Sequence, residues 1–411
     1  PCPEFASNEL WARMAWYEQL SVWLLAETRR GSSSPVSGYL AYLPRPHTFA
    51  DAPIEWGEAE LAELRYPPLI ASIREQQQAV RALQLALVQQ CGDAAPSEVE
   101  LRWAQQLVLS RAFSSTIANR NRQVAPKQQR APPKLKAAVQ RPSWLGFLPE
   151  VREMPAVSLP SVPRLPRLFQ LSKRANTQGV AGEMAMMPML DALNHASSAK
   201  VSCRFDAEQN AFVLTAEAPL APGEQAFLSY GEKSNDELLQ LYGFVESNNP
   251  HDTFYTIGLR EHARSTAANL FSEAELQRRL SLVSSIGLDS ALDFGELKSE
   301  GVPSTTMHAL RVLVGEVTEI EGDISRLSRP QSLSTEERAW ALLRSYCKAA
   351  RSVLGGSRKA DVAELRRGKL PKRRQLTLQF RAEKKLLLST LEKRLELLAV
   401  RSRKAGRVLA R

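Results

Sequence analysis

The sequence predicts an α+β domain followed by an all-helical one. Short, apolar, strand-like runs are confined to residues 184–230, where a polar turn at 206–210 splits two of them into a hairpin. Apolar residues spaced three and four apart dominate before residue 118 and again beyond Pro250. A chain of 411 residues is long enough for two cores, and the change of pattern gives domains of 1–250 and 251–411.

Between Glu9 and Thr28, Leu10, Met14, Tyr17, Leu20, Leu24 and Leu25 line one face of a helix that Gly31 ends. A Gln- and Leu-rich helix follows over residues 69–90. Gly92 to Pro96 breaks it, and Ser97 with Glu100 three residues on has the capping-box spacing of a new helix that runs through Trp103 to Arg111. Helical spacing thus covers residues 9–118. Residues 119–174 hold 9 of the 25 prolines and 12 Lys and Arg against Glu150 and Glu153, a composition that disfavours a packed core and predicts an extended surface insertion. The hairpin comes next, with Val201 and Cys203 to Phe205 in one strand and Phe212 and Leu214 in the other. Pro222-Gly223-Glu224 turns the chain into a strand over 225–230. Ser234 with Glu237 is a second capping box, opening a helix that carries Leu238, Leu241 and Tyr242. In the second domain, helices are predicted over 274–286, 306–324, 335–353 and 376–400.

Composition narrows the function. At 44% hydrophobic and 24% charged the chain has a globular balance, and no run approaches the roughly 18 apolar residues of a membrane span, so no membrane role is expected. Cys2, Cys91, Cys203 and Cys347 never fall in a Cys-x-x-Cys pair, which argues against a disulfide scaffold and a zinc cluster; no metal is expected. The net charge of +10 is local: residues 119–174 match the whole excess, and 358–411 add 18 basic against 5 acidic side chains, leaving an acidic body. Trp144, Phe147 and Phe169 are the insertion's only aromatics, without the interleaving of a nucleic-acid groove. A solvated loop therefore ranks ahead of nucleic-acid binding.

Two polar clusters interrupt apolar sequence: Asp191-x-x-Asn194-His195 and Tyr230-Gly231-x-x-Ser234-Asn235. Polar groups beside strands must find partners. By residue type alone, Tyr230 is an aromatic at a strand end, Tyr242 a core aromatic, His195 structural, Arg111 an ordinary helix arginine, and Ser234 and Asn235 the cap of the following helix. Read together, Asn194-His195, Ser229-Tyr230-Gly231, the run Leu238 to Phe244, Trp103-Ala104 and Ser110-Arg111-Ala112-Phe113 resemble the SET-domain methyltransferases, in the branch typified by Rubisco large subunit methyltransferase. Tyr39 to Pro44 followed by Trp56 resembles that branch's helical insert, which the resemblance implies is the span 9–118, and residues 373–387 resemble its C-terminal substrate-binding domain.

The resemblance implies a SET domain, with small sheets and a knotted active-site segment, that uses S-adenosyl-L-methionine. Tyr230 would orient the acceptor, Arg111, Asn194, His195, Ser234 and Asn235 would hold the cofactor, and Asp191 and Tyr242 would bind substrate. The absence of cysteine-rich zinc segments favours the non-histone branch, so the implied acceptor is a lysine of a non-histone protein, Rubisco or another plastid protein, with a histidine ring as the alternative. A monomer in the chloroplast is expected, with cytoplasm or nucleus as alternatives. The rival reading is a non-catalytic SET-derived protein-binding module. The sequence departs from the family in Ala192 and Ala196, where Met and Ser are usual. No counterpart of the family's N-terminal Gly-rich strand precedes Glu9, so the first domain is expected to lack it.

Overall fold

A computed structural model of the chain describes residues 4–114, 184–206, 209, 211–316 and 327–409. The basic insertion at 119–174, and the part of the predicted 306–324 helix beyond residue 316, lie outside the described residues.

The helix predicted from Glu9 is two helices, Asn8–Arg13 and α1 (Trp16–Arg30). Met14 and Ala15 are extended between them: the Glu18 carboxylate accepts the Ala15 N–H at 2.7 Å, and Gln19 Nε2 donates to the Trp11 carbonyl at 2.7 Å. Met14 and Tyr17 still reach the core, so the apolar spacing survives a break that it cannot reveal. Helices α2 (Pro67–Cys91) and α3 (Glu98–Arg111) lie close to the predicted spans. The predicted capping box starts α3: Ser97 Oγ accepts the Glu100 N–H at 3.3 Å and Glu100 Oε2 accepts the Ser97 N–H at 2.7 Å. Leu24, Leu83, Leu87, Leu101 and Val108 close the core that these helices share.

Among the described residues every sheet has two strands. β1 (Ala112–Ser114) pairs antiparallel with β2 (Met184–Met186), and the predicted hairpin is β4 (Val201–Asp206) against β5 (Ala211–Ala216). β3 (Asn194–His195) runs parallel to β6 (Phe227–Leu228), two residues against two, so only part of the predicted 225–230 strand pairs. The helix capped by Ser234 is a single turn, Asn235–Glu237, that widens into a π-helical turn over Leu238–Tyr242. Side chains of α2 and α3 hold the wide turn. Gln240 accepts from Ser72 Oγ at 2.9 Å and donates to Gln76 Oε1 at 3.1 Å, while Gln106 Nε2 donates to the Leu241 carbonyl at 2.6 Å. Gly243, at φ +75°, ends the turn in a backbone region that favours glycine.

The rest is helical: α4 (Leu259–Ala267), α5 (Glu273–Ser285), α6 (Ser304–Val314), α7 (Leu333–Val353), α8 (Arg358–Arg367) and α9 (Lys372–Leu409). A short antiparallel pair, Phe254–Tyr255 with Glu296–Leu297, precedes α6 and carries no signal in the residue pattern. The core of this region crosses residue 250, because Trp56, Leu61, Leu64, Tyr66, Leu69 and Leu239 pack in it with Leu310, Leu343, Phe380 and Leu388. Lys384 of α9, wholly buried, donates to Asp236 Oδ2, to Asp252 Oδ1 at 2.8 Å and to the Thr253 carbonyl at 2.6 Å. No described helix is long and apolar enough to cross a membrane.

Candidate active site

Tyr230 sits two residues past β6. Its N–H donates to His195 Nδ1 at 3.0 Å and its hydroxyl to the Leu193 carbonyl at 2.7 Å, so both ends are tied to the strand alongside. Gly231, at φ +95°, then turns the chain away as a residue with a Cβ would not readily do. The π turn brings the Tyr242 ring to 4.8 Å from that of Tyr230, inclined by 30°. Burial pushes the Tyr230 phenol up to about 12 and moves Tyr242 upward as well, so both hydroxyls are neutral at pH 7.

Arg111, at the end of α3, reaches 80 residues along the chain to donate to the Asp191 carbonyl. Asp191 is buried in a short 3-10 turn, and its Oδ2 accepts the Tyr39 hydroxyl. Burial holds the Asp191 carboxyl above its ordinary range, against the hydrogen bond from Tyr39 and the Arg111 charge, which act to lower it. Tyr39 is raised too, first by burial and then by that hydrogen bond. Among the described residues, two buried atoms of the cluster have no partner: the acceptor Asp191 Oδ1 and the donor Arg111 Nε. The chain thus leaves one buried acceptor and one buried donor unmatched beside the two phenols.

The structure brings Arg111, Asp191, His195, Tyr230 and Tyr242 together. Side chains of three residues expected to hold a cofactor are occupied otherwise. The His195 side chain is fully enclosed: Nδ1 takes the Tyr230 N–H, and Nε2 lies 3.4 Å from both Ser197 Oγ and Glu246 Oε2. Ser234 Oγ accepts the Glu237 N–H at 3.3 Å as the cap that its spacing predicts. Asn235 is wholly buried. It donates its N–H to Asp252 Oδ1 at 2.9 Å and one Nδ2 hydrogen to the Glu246 carbonyl at 3.1 Å, and accepts the Glu246 N–H at 2.9 Å. The side chains of His195, Ser234 and Asn235 thus bond within the fold, which leaves backbone groups as the route by which this segment would meet a cofactor. Of the Asn-His pair only Asn194 exposes its side chain. Sequence reasoning missed Tyr39 and Glu246: one lies 152 residues from its partner, the other 49, and no local spacing marks either.

A family profile described as Rubisco LSMT substrate-binding matches residues 271–388. Over shorter stretches the chain is similar to human SET domain-containing protein 4 (28% identity over 113 residues, 27% of this chain and 24% of that protein) and to rat N-lysine methyltransferase SETD6 (33% over 95 residues, 23% and 19%). It is also similar to the ribosomal lysine N-methyltransferase set10 of Schizosaccharomyces pombe (38% over 69 residues, 16% and 13%). These matches span about a quarter or less of each relative's length. The fold is similar to that of the SET domain of LSMT bound to lysine and AdoHcy, with a TM-score of 0.56 at 18% identity over 96% of this chain and 78% of that one. Rubisco LSMT bound to AdoMet gives the same score and coverage. The chain has the SET-domain fold seen in Rubisco LSMT, and its residues 271–388 match the Rubisco LSMT substrate-binding profile.

Proposed function

We propose that the chain catalyses transfer of a methyl group from S-adenosylmethionine to a lysine of a non-histone protein. The observation that carries this reading is the half-buried, neutral Tyr230 phenol, its ring 4.8 Å from that of Tyr242, beside a buried donor and acceptor unmatched among the described residues. The relatives named as lysine methyltransferases, and the LSMT structures bound to lysine with AdoHcy and to AdoMet, support it.

The residues present suit the cofactor. Arg111 Nε is a buried donor without an acceptor among the described residues, suited to a carboxylate, and the Asn194 side chain is open to solvent. Bound S-adenosylmethionine supplies a methyl group on a sulfonium, open to in-line attack without a metal. A lysine amine has a reference pKa of about 10.4 and attacks only when neutral. An aromatic enclosure lowers that value by disfavouring the cation, so Tyr230 and Tyr242 help the amine shed its proton. The Tyr230 hydroxyl gives its hydrogen to Leu193 and keeps oxygen lone pairs to accept an N–H of the amine. Positioning supplies most of the rate.

Calorimetric titration with S-adenosylmethionine, followed by methyl transfer from labelled cofactor to candidate proteins, tests this. Wild type should bind and transfer. Tyr230→Phe should bind equally well and transfer about 100-fold more slowly. Cofactor binding without transfer to any protein, or no binding at all, would favour the non-catalytic binding module.

A further inference from the structure

Behind Tyr230 lies a pair that the proposed reaction does not use, the His195 ring and the Glu246 carboxylate. His195 Nδ1 accepts the Tyr230 N–H at 3.0 Å, so Nδ1 carries a lone pair and the ring proton sits on Nε2. Nε2 in turn faces Ser197 Oγ and Glu246 Oε2, each at 3.4 Å. With Ser197 already donating its hydroxyl hydrogen to Glu246 Oε2 at 2.5 Å, both atoms beside Nε2 are acceptors.

Glu246 is held from two sides. Its Oε1 accepts the Ser197 N–H at 2.8 Å, and its own backbone N–H and carbonyl both bond to the Asn235 side chain, at 2.9 and 3.1 Å. Phe244 and Tyr230 flank the imidazole at 6.0 and 5.0 Å between ring centres. The opposite tautomer would set two N–H donors against each other at Tyr230 and turn the Nε2 lone pair toward the Glu246 carboxylate, on an imidazole that is itself fully enclosed.

We infer that Glu246 is a positioning residue for Tyr230: it fixes His195 with its proton on Nε2, and the exposed lone pair of Nδ1 anchors the Tyr230 amide. The pair acts as an aspartate does on a catalytic imidazole, by selecting tautomer and orientation, except that the imidazole here holds a backbone amide. The kinetic consequence rests on the proposed role of Tyr230. The anchor itself belongs to the resting protein and is measurable without substrate.

The test uses the full chain labelled with 15N-histidine and long-range proton–nitrogen correlation spectra, His195 being assigned by its loss in His195→Gln. Wild type should show His195 protonated at Nε2 alone. Glu246→Ala should mix the tautomers and lower kcat about tenfold, with the cofactor Kd and acceptor KM within about twofold. Glu246→Gln, whose amide oxygen can still accept the Nε2 hydrogen while its NH2 displaces the contact of Oε1 with the Ser197 N–H, should keep the tautomer and recover part of kcat. A wild-type His195 protonated at Nδ1, singly or doubly, overturns the inference. So does a Glu246→Ala protein with tautomer and kcat both unchanged. If no acceptor is ever methylated, or if Glu246→Ala does not fold, the wild-type and Glu246→Gln spectra still decide.

Discussion

Lys384, buried where α9 meets the π-turn segment, sets its ammonium against three oxygens, those of Asp236, Asp252 and Thr253. Arg111 donates to the Asp191 carbonyl, and among the described residues its Nε and the Asp191 Oδ1 both have no partner. Burying a charge is costly unless its hydrogen-bonding capacity is filled. The Lys384 ammonium, with three oxygens around it, is therefore cement between the helical region and the SET fold, whereas the Arg111–Asp191 pair leaves both a donor and an acceptor unmatched among the described residues.

The sharpest way to break this comparison is to remove the cement. Lys384→Met leaves two carboxylates facing each other without their counter-ion, and stability should fall by about 3–5 kcal/mol, read from denaturant midpoints. A loss under about 1 kcal/mol would mean that the lysine holds nothing together.

A second test uses pH. Burial, with Asp252 close by, pushes the Asp236 carboxyl up to about 6, despite the attraction of Lys384. Two carboxylates on one ammonium leave a surplus negative charge, and the unmatched Asp236 Oδ1 is where a proton relieves it. Since the folded value lies above the ordinary 3.8, the folded state binds the proton more tightly than the unfolded chain. The group's stabilising contribution is full below about pH 4 and is lost as pH rises through about 6. Asp236→Asn should remove that slope, so that stability measured at pH 4 and at pH 7 differs less in the variant than in wild type.

The same contrast explains what the sequence could reveal. Helices α2, α3, α5 and α7 follow from apolar periodicity, and both capping boxes form because their partners lie three residues apart. Asp191, His195 and Tyr230 stand out because polar clusters interrupt apolar sequence, the roles of Tyr230 and Tyr242 come from the family resemblance, and the structure does gather all four. The break at Met14 was hidden because the side chains that cause it leave the apolar spacing intact. The π turn at Leu238 was hidden because Ser72, Gln76 and Gln106, more than 130 residues away, impose it. Tyr39 and Glu246 were hidden for the same reason: a polar contact across the fold has no period.

The smallest expected change in stability belongs to Asp191→Asn, and it separates the two regions most cleanly. The amide oxygen can still accept the Tyr39 hydroxyl, so the hydrogen bond that positions the side chain survives. What disappears is a buried negative charge whose carboxyl is held above its ordinary range, which means that ionisation opposes folding at pH 7. The variant should match wild type to within about 1 kcal/mol, with any gain confined to the pH range where wild-type Asp191 is ionised. Binding should respond differently, because the unmatched oxygen is replaced by an NH2 donor. Titration with S-adenosylmethionine and with a methylatable protein should show one of the two affinities weakened about tenfold, the loss expected when a charged hydrogen-bond partner is removed. A loss of stability above about 2 kcal/mol with both affinities intact would make Asp191 cement like Lys384, and the distinction between the saturated and the unsaturated charge would fall.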